Sequence, residues 1–298
     1  MGKKLLFVVN PFSGKAQVSN KLLQMVDQMV KSGYQVNVHP TQDKNDARML
    51  IEKVAKKYDL VVVSGGDGTL DEAVSGMMRS QKIVPLGYIP AGSTNDFATS
   101  LNIPKDMLKA CEAALHGKLF PCDVGKFGEK YFIYIAAFGI FTDVSYKTSQ
   151  ELKNILGHAA YILEGAKRIY DITSYHMQVE YNGKIIEDDF IYGMITNSTS
   201  VGGFKNMAGT NVLLDDGVFE VTLIRMPKNP AELNEILGSL TRLIDDTDLI
   251  YSFKTNHVKF TAQEKLPWTL DGEYGGSPKE VVIEIEHQAL EIMVPEDH

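Results

Sequence analysis

The run Val61-Val62-Val63-Ser64-Gly65-Gly66-Asp67-Gly68-Thr69-Leu70-Asp71-Glu72-Ala73 places three glycines within four positions at the end of an apolar segment. Glycines let a backbone approach a ligand closely, and their N–H groups, backed by a helix N-terminus, form an anion site suited to phosphates. A tight strand-to-helix turn would need the glycines but not Asp67, which implies a metal, ribose or cationic partner. The spacing fits neither G-x-x-x-x-G-K-[ST] nor G-x-G-x-x-G, so it is neither a P-loop nor a Rossmann fingerprint. A second loop, Pro90-Ala91-Gly92-Ser93-Thr94-Asn95-Asp96-Phe97-Ala98, holds four residues able to cap a helix. A third, Asn10-Pro11-Phe12-Ser13-Gly14-Lys15, follows the first apolar run. A turn or a cap explains any one of them, but three such loops at successive strand ends point to one phosphate-binding crevice.

The elements that must carry these loops are legible as alternation. Leu5–Val9 reads as a strand; Val18, Leu22, Met25, Val26, Met29 and Val30 recur at helical spacing until Gly33. Tyr34–His39 alternates as a strand, Ala47 to Ala55 repeats the helical pattern with Asp43 as expected N-cap, and Asp59–Val63 reads as a buried parallel strand. Strand, helix, strand, helix, strand implies a parallel sheet with helices on both faces, which binds ligands at the carboxyl ends of its strands. Past residue 120 the texture becomes β-rich: Tyr131–Phe138, His176–Tyr181, Ile185–Ile195, Phe219–Ile224, His257–Thr261 and Val281–Ile285, with an Asn182-Gly183 turn. Helical insertions are expected at 150–171 and 230–243. The expected division is an α/β domain over 1–120, completed by 288–298, and a mainly antiparallel β domain over 121–287.

Composition limits the functions available. The 298 residues are 44% hydrophobic and 23% charged, ordinary for a globular chain and enough for one or two cores. Cys111 and Cys122 are the two cysteines and show no zinc or disulfide pattern, and the histidines have no ligand spacing. Neither the apolar start nor the uncharged run Tyr131–Thr142 is long enough for export or a membrane span. A cytoplasmic protein with peripheral membrane contact at most is expected. Net charge of −8 disfavours nucleic acid. Residues 1–120 nevertheless carry 15 Lys and Arg against 11 Asp and Glu, and the rest carries 15 against 27, so a basic half suits a polyanionic ligand and an acidic half suits a metal.

The Asn10–Gly14 loop (N-P-x-S-G), Gly65–Thr69 (G-G-D-G-T), Gly92–Ala98 (G-[ST]-x-N-D-F-A) and Asp271-Gly272-Glu273 together resemble the diacylglycerol kinase catalytic family of soluble bacterial lipid kinases. The resemblance covers essentially the whole chain. It implies two lobes, an N-terminal α/β lobe and a C-terminal β-sandwich-like lobe, with ATP and Mg²⁺ in a cleft. It places Asn10, Pro11, Phe12, Ser13, Gly14, Thr41, Gly65, Gly66, Asp67, Gly68, Thr69 and Thr94 around the nucleotide, with Glu72 and Asn95 in support. It further implies a structural Mg²⁺ held by the Asp216 carboxylate and the Leu213 and Val218 carbonyls, a hard-ion oxygen set, with Asp123 coupling that metal to the cleft. Asp271 or Glu273 would accept the proton of the acceptor hydroxyl. Ser93 and Thr99 stand where the family more often has Thr and Arg, and Gly202–Gly209 lacks a usual glycine and proline.

Diacylglycerol is the leading expected acceptor, with another lipid alcohol (a sphingoid base, phosphatidylglycerol or a polyprenol) as alternative. NAD kinase is disfavoured by Asn197-Ser198, where an N-E dipeptide would be expected, and a non-catalytic paralogue by the retained acids. A lipid acceptor requires transient docking at the inner face of the membrane, for which Lys15, Lys167 and Arg168, beside Leu156, Tyr161, Ile162 and Leu163, are the candidates. A homodimer is left open.

Overall fold

The computed structural model describes residues 2–13, 17–92, 95–140, 172–197, 213–242 and 247–296. In chain order its elements begin with β1 (Lys3–Val9), α1 (Gln17–Lys31), β2 (Tyr34–Pro40), α2 (Asp46–Val54), β3 (Leu60–Gly65), α3 (Asp67–Arg79), β4 (Leu86–Pro90), α4 (Asp96–Ser100) and α5 (Met107–His116). They continue with β5 (Lys118–Phe127), β6 (Lys130–Phe132), β7 (Ile135–Gly139), β8 (Tyr175–Tyr181), β9 (Lys184–Thr196) and β10 (Phe219–Arg225). The last are α6 (Pro230–Arg242), β11 (Ile250–Thr255), β12 (His257–Ala262), β13 (Trp268–Leu270), β14 (Glu273–Gly276) and β15 (Glu280–Val294). The chain forms two compact units. One comprises Met1–Val124, Tyr131–Ile133 and Glu286–His298, the other Gly125–Lys130 and Tyr134–Ile285.

The first unit is built on parallel strands in the order β2-β1-β3-β4-β15. Phe7 of β1 lies beside Val38 of β2 and Val62 of β3, and Val62 beside Gly87 of β4. The end of β15 pairs in parallel with β4 through Ile292 and Met293, so residues near the C-terminus supply the fifth strand. Every residue of β3 and β4 is buried, which explains their continuous apolar runs: both faces are covered by helices. The helices pack as two pairs, α1 with α5 and α2 with α3. In α1 the stripe of Val18, Met25 and Met29 is buried while Leu23 faces solvent. Gly76 sits where α2 and α3 approach most closely, since a Cβ there would come within 2.5 Å of the Arg48 carbonyl oxygen.

The expected cap of α2 is displaced. Asn45, at φ 67°, precedes the helix, and Asp43 contributes only its carbonyl, which accepts the Asp46 N–H at 3.3 Å. Asn is among the few residue types that tolerate this left-handed conformation, and it stands directly before the helix, two positions nearer than Asp43.

The second unit is antiparallel. The β8–β9 hairpin turns through Asn182 and Gly183, both at positive φ as the Asn-Gly signal predicts. β9 is long enough to serve two sets of partners: its first half pairs with β8, its second with β7 and β10. β13 lies between β7 and β14, and β12 between β8 and β15. Trp268 packs edge-on against Phe127, Phe138 and Phe260 with ring centroids 4.9–5.1 Å apart, so its role is packing. The single strand expected over Tyr131–Phe138 is two strands. The N–H groups of Tyr134 and Ile135 leave the ladder for the Asp271 carboxylate, and the Tyr134 carbonyl accepts the Asn197 N–H. The strand expected at Val281–Ile285 is only the start of the 15-residue β15. The 230–243 helix is present as α6, whereas the one expected at 150–171 lies outside the described residues.

Candidate active site

In a parallel sheet of order 2-1-3-4, the connections from β1 and β3 leave in opposite directions, which opens a crevice at their carboxyl ends. The first-loop and glycine-rich residues stand there. Asn10, directly after β1, donates its backbone N–H to the Ser64 carbonyl at 2.8 Å and its side-chain amide to Thr69 Oγ1 at 3.1 Å. Its Oδ1 accepts the Phe12 N–H at 3.0 Å and its carbonyl the Ser13 N–H at 3.3 Å, which folds Pro11 and Phe12 into a turn. Phe12 is 82% exposed. Thr41, directly after β2, donates its N–H to the Val9 carbonyl at 2.8 Å. Gly14, Lys15, Ser93 and Thr94 lie outside the described residues.

The glycines at the ends of β3 and β4 fit into each other. Gly65 has no room for a Cβ, which would meet Thr69 Oγ1 at 2.4 Å, and a Cβ on Gly92 would meet the Gly66 Cα at 2.7 Å. Gly66 is the cap of α3 and has no side chain to occupy the first N–H groups of that 13-residue helix, in whose first turn Asp67, Gly68 and Thr69 lie. That is the geometry an anion requires. Asp67 is held in place, its Oδ2 accepting the Asn95 N–H at 2.9 Å. Asn95, at φ 53°, returns its side chain to Gly92, accepting the Gly92 N–H at 2.9 Å and donating to its carbonyl at 2.8 Å. Asn95 thus closes the loop on itself. Thr99 binds the Asn95 carbonyl through Oγ1 at 3.1 Å. Glu72 points elsewhere: its Oε1 accepts the Asn45 N–H at 2.7 Å and anchors the start of α2.

Residues 4–127 match the diacylglycerol kinase catalytic domain family. Diacylglycerol kinase of Bacillus subtilis is 34% identical over 99% of this chain and 97% of its own length. That of Staphylococcus carnosus is 33% identical over 100% and 97%. The chain belongs to the diacylglycerol kinase catalytic domain family. The crystal structure of a putative diacylglycerol kinase from Bacillus anthracis superimposes with a TM-score of 0.84 at 22% identity, covering 99% of this chain and 98% of that one, which establishes the diacylglycerol kinase fold.

In the second unit, Asp271 and Gly272 form the two-residue turn between β13 and β14, at φ 49° and 86°. Asp271 is buried, and its Oδ1 accepts the N–H groups of Tyr134 at 3.1 Å and Ile135 at 2.9 Å, while its carbonyl accepts the Tyr134 hydroxyl. Glu273, across the turn, is exposed. Of the residues expected at a metal, Asp216 and Val218 share one turn at Gly217, where the Val218 N–H donates to Asp216 Oδ1 at 3.2 Å. Leu213 is exposed two residues before Asp215. Lys254 stands 3.7 Å from Asp216 Oδ2 and 2.8 Å from Glu220 Oε1. Burial, opposed by Lys254 and aided by Asp216, pushes the Glu220 carboxyl above its ordinary range, and the bond to Glu220 raises Lys254.

Asp123 is fully buried in the first unit, where its Oδ1 accepts the Gln288 N–H at 2.6 Å and contacts His287 Nδ1 at 2.9 Å. Two residues with a clear place in these networks escape sequence reasoning. His287 is a lone histidine, and Tyr88 carries a hydroxyl in an otherwise apolar strand. The only available signal for Tyr88 was that one polar atom, three positions before Ala91.

Proposed function

We propose that the protein transfers the γ-phosphoryl group of ATP to the free hydroxyl of diacylglycerol, giving phosphatidic acid and ADP. The observation that carries this is the joining of the asparagine-proline loop, Gly65–Thr69 and the Gly92–Asn95 loop at the β1/β3 crevice of a chain that matches diacylglycerol kinases along its length. Phosphoryl transfer asks the protein mainly for positioning and charge neutralisation. Backbone N–H groups at the start of α3 would receive the phosphates, and Asp67 is the acid beside them.

Transfer breaks the bond between the γ-phosphorus and ADP and forms one to the lipid oxygen, whose proton must go to a base. Glu273 is the better base in this reading. Asp271 spends an oxygen on two amides and holds the turn that presents Glu273. Mg²⁺ bound with the nucleotide would supply charge neutralisation, and for a separate, structural Mg²⁺ the second unit offers an Asp216 carboxylate with the Leu213 and Val218 carbonyls, hard oxygen donors of the kind that ion takes. These donors fit it in type, with the Lys254 ammonium as the competing charge. A sandwich-like arrangement of the second unit's strands around the shared β9 belongs to the same reading, as do a cytoplasmic location and transient contact with the inner membrane face.

Radiolabelled ATP, Mg²⁺ and the protein, incubated with micelles of diacylglycerol, a sphingoid base, phosphatidylglycerol or a polyprenol and with NAD, decide the acceptor. Label in phosphatidic acid is expected. Label in another product, or none, refutes the assignment.

A further inference from the structure

Tyr88 is the central residue of β4, Leu86-Gly87-Tyr88-Ile89-Pro90, and is 1% exposed. An aliphatic side chain would fill such a place without bringing a hydroxyl that must be desolvated. The hydroxyl reaches the carboxyl end of the sheet, 3.2 Å from the Gly65 carbonyl oxygen and 3.3 Å from Asn95 Oδ1. Neither acceptor needs it for satisfaction. Gly65 O already receives the Ala91 N–H at 2.7 Å, and Asn95 Oδ1 the Gly92 N–H at 2.9 Å. What the hydroxyl adds is a link: its single proton is shared between two acceptors, one that ends β3 and one that lies in the loop after β4. Asn95 in turn presents its N–H to Asp67 Oδ2.

We infer that Tyr88 is a positioning residue whose hydroxyl locks the two glycine-rich loops, and through Asn95 the Asp67 carboxylate, at the spacing the nucleotide phosphates require. This rests on the nucleotide assignment above. The Gly66–Gly92 contact leaves no slack, so a small displacement of one loop is passed to the other. Burial first, and the Asp67 carboxylate second, hold the Tyr88 hydroxyl well above the usual phenol range. It therefore stays protonated, and able to donate, at every working pH.

The test is Tyr88→Phe, which removes the oxygen alone. KM for ATP should rise about fivefold, a typical loss for one buried neutral hydrogen bond, while kcat and KM for the lipid change less than about twofold. Amide exchange should quicken in peptides carrying Gly65–Leu70 and Asn95–Leu101 and stay unchanged elsewhere in the unit. Ile51→Val, a core truncation in the same unit, serves as the control that lowers stability without moving KM for ATP. Should the phenylalanine variant lose stability, KM for ATP is compared with that of Ile51→Val at temperatures equally far below each variant's unfolding midpoint, where a rise confined to Tyr88→Phe still supports the brace and equal values overturn it.

Unchanged KM for ATP together with unchanged loop exchange overturns the inference. So does a parallel rise in both KM values that Ile51→Val reproduces, because that is general loosening. Asp67→Asn, measured alongside, separates the two levels. If it leaves KM for ATP and turnover intact, the nucleotide does not sit at these loops and the brace falls with it; if it cripples the enzyme while Tyr88→Phe is silent, only the brace falls.

Discussion

At the residue scale the acids divide by what their oxygens already do. Asp67 accepts the Asn95 backbone N–H, and the turn it sits in is made by glycines, so Asp67→Ala should fold with nearly unchanged thermal stability and lose about 100-fold or more in kcat/KM. Wild-type turnover in that variant would remove Asp67 from the chemistry. Asp271 and Glu273 should separate in the opposite way. Asp271→Ala strands two buried N–H groups, at about 1–3 kcal/mol each, and should show a clear drop in unfolding midpoint, whereas Glu273→Gln should keep its midpoint and lose turnover. Denaturation curves beside steady-state rates on both variants make the distinction. Equal stability losses would mean that both residues merely build the turn. The sequence shows all three acids but cannot divide them, because the division depends on the Tyr134 and Ile135 amides, more than a hundred positions away from Asp271.

At the element scale the legible features are those written in local pattern. The continuous runs of β3 and β4 announce a doubly covered parallel sheet, and Asn182-Gly183 announces its hairpin. The features that are not legible depend on distant partners: the split between β6 and β7, the length of β15, and Asn45 displacing Asp43 as the residue before α2. Helix packing gives a paired prediction. Gly76→Ala drives a methyl against the Arg48 backbone and should destabilise by about 1–3 kcal/mol, while Gly238→Ala, in α6 with open space around it, should stabilise by about 0.5–1 kcal/mol. A pH effect is built into the β8–β9 pair. His176 lies 3.2 Å from Glu187 and 3.0 Å from Asp189, and these bonds raise its pKa above the ordinary 6.5. A raised histidine contributes stability that is complete below the unfolded value and lost as pH rises through the folded one. The midpoint difference between wild type and His176→Gln should therefore be largest in mild acid and vanish in mild alkali; a difference independent of pH would show that the imidazole acts there only by packing.

At the scale of the whole molecule the question is how a chain of net charge −8 meets a lipid substrate. Among the described residues no helix is long and apolar enough to cross a membrane. Anionic lipid attracts well-placed Lys and Arg at roughly 1 kcal/mol each, and repels the acidic majority of residues 121–298. If the protein docks on such a surface as proposed, attraction would be local and would be expected from the basic first part of the chain. Lys15, Lys167 and Arg168, the sequence candidates, lie outside the described residues, but Phe12, three positions before Lys15, presents an exposed ring beside the crevice. An apolar ring can insert at the boundary of headgroups and acyl chains while a neighbouring lysine meets anionic headgroups, so Phe12 and Lys15 would act together there. Phe12→Ser combined with Lys15→Glu should reduce sedimentation with anionic vesicles and activity on vesicle-borne diacylglycerol, most strongly at low salt and less so at physiological salt, where the charge contribution is screened, while sparing turnover of a short-chain acceptor in solution. An equal loss on both acceptors would place Phe12 at the nucleotide, and undiminished vesicle binding would take the first loop out of membrane contact altogether.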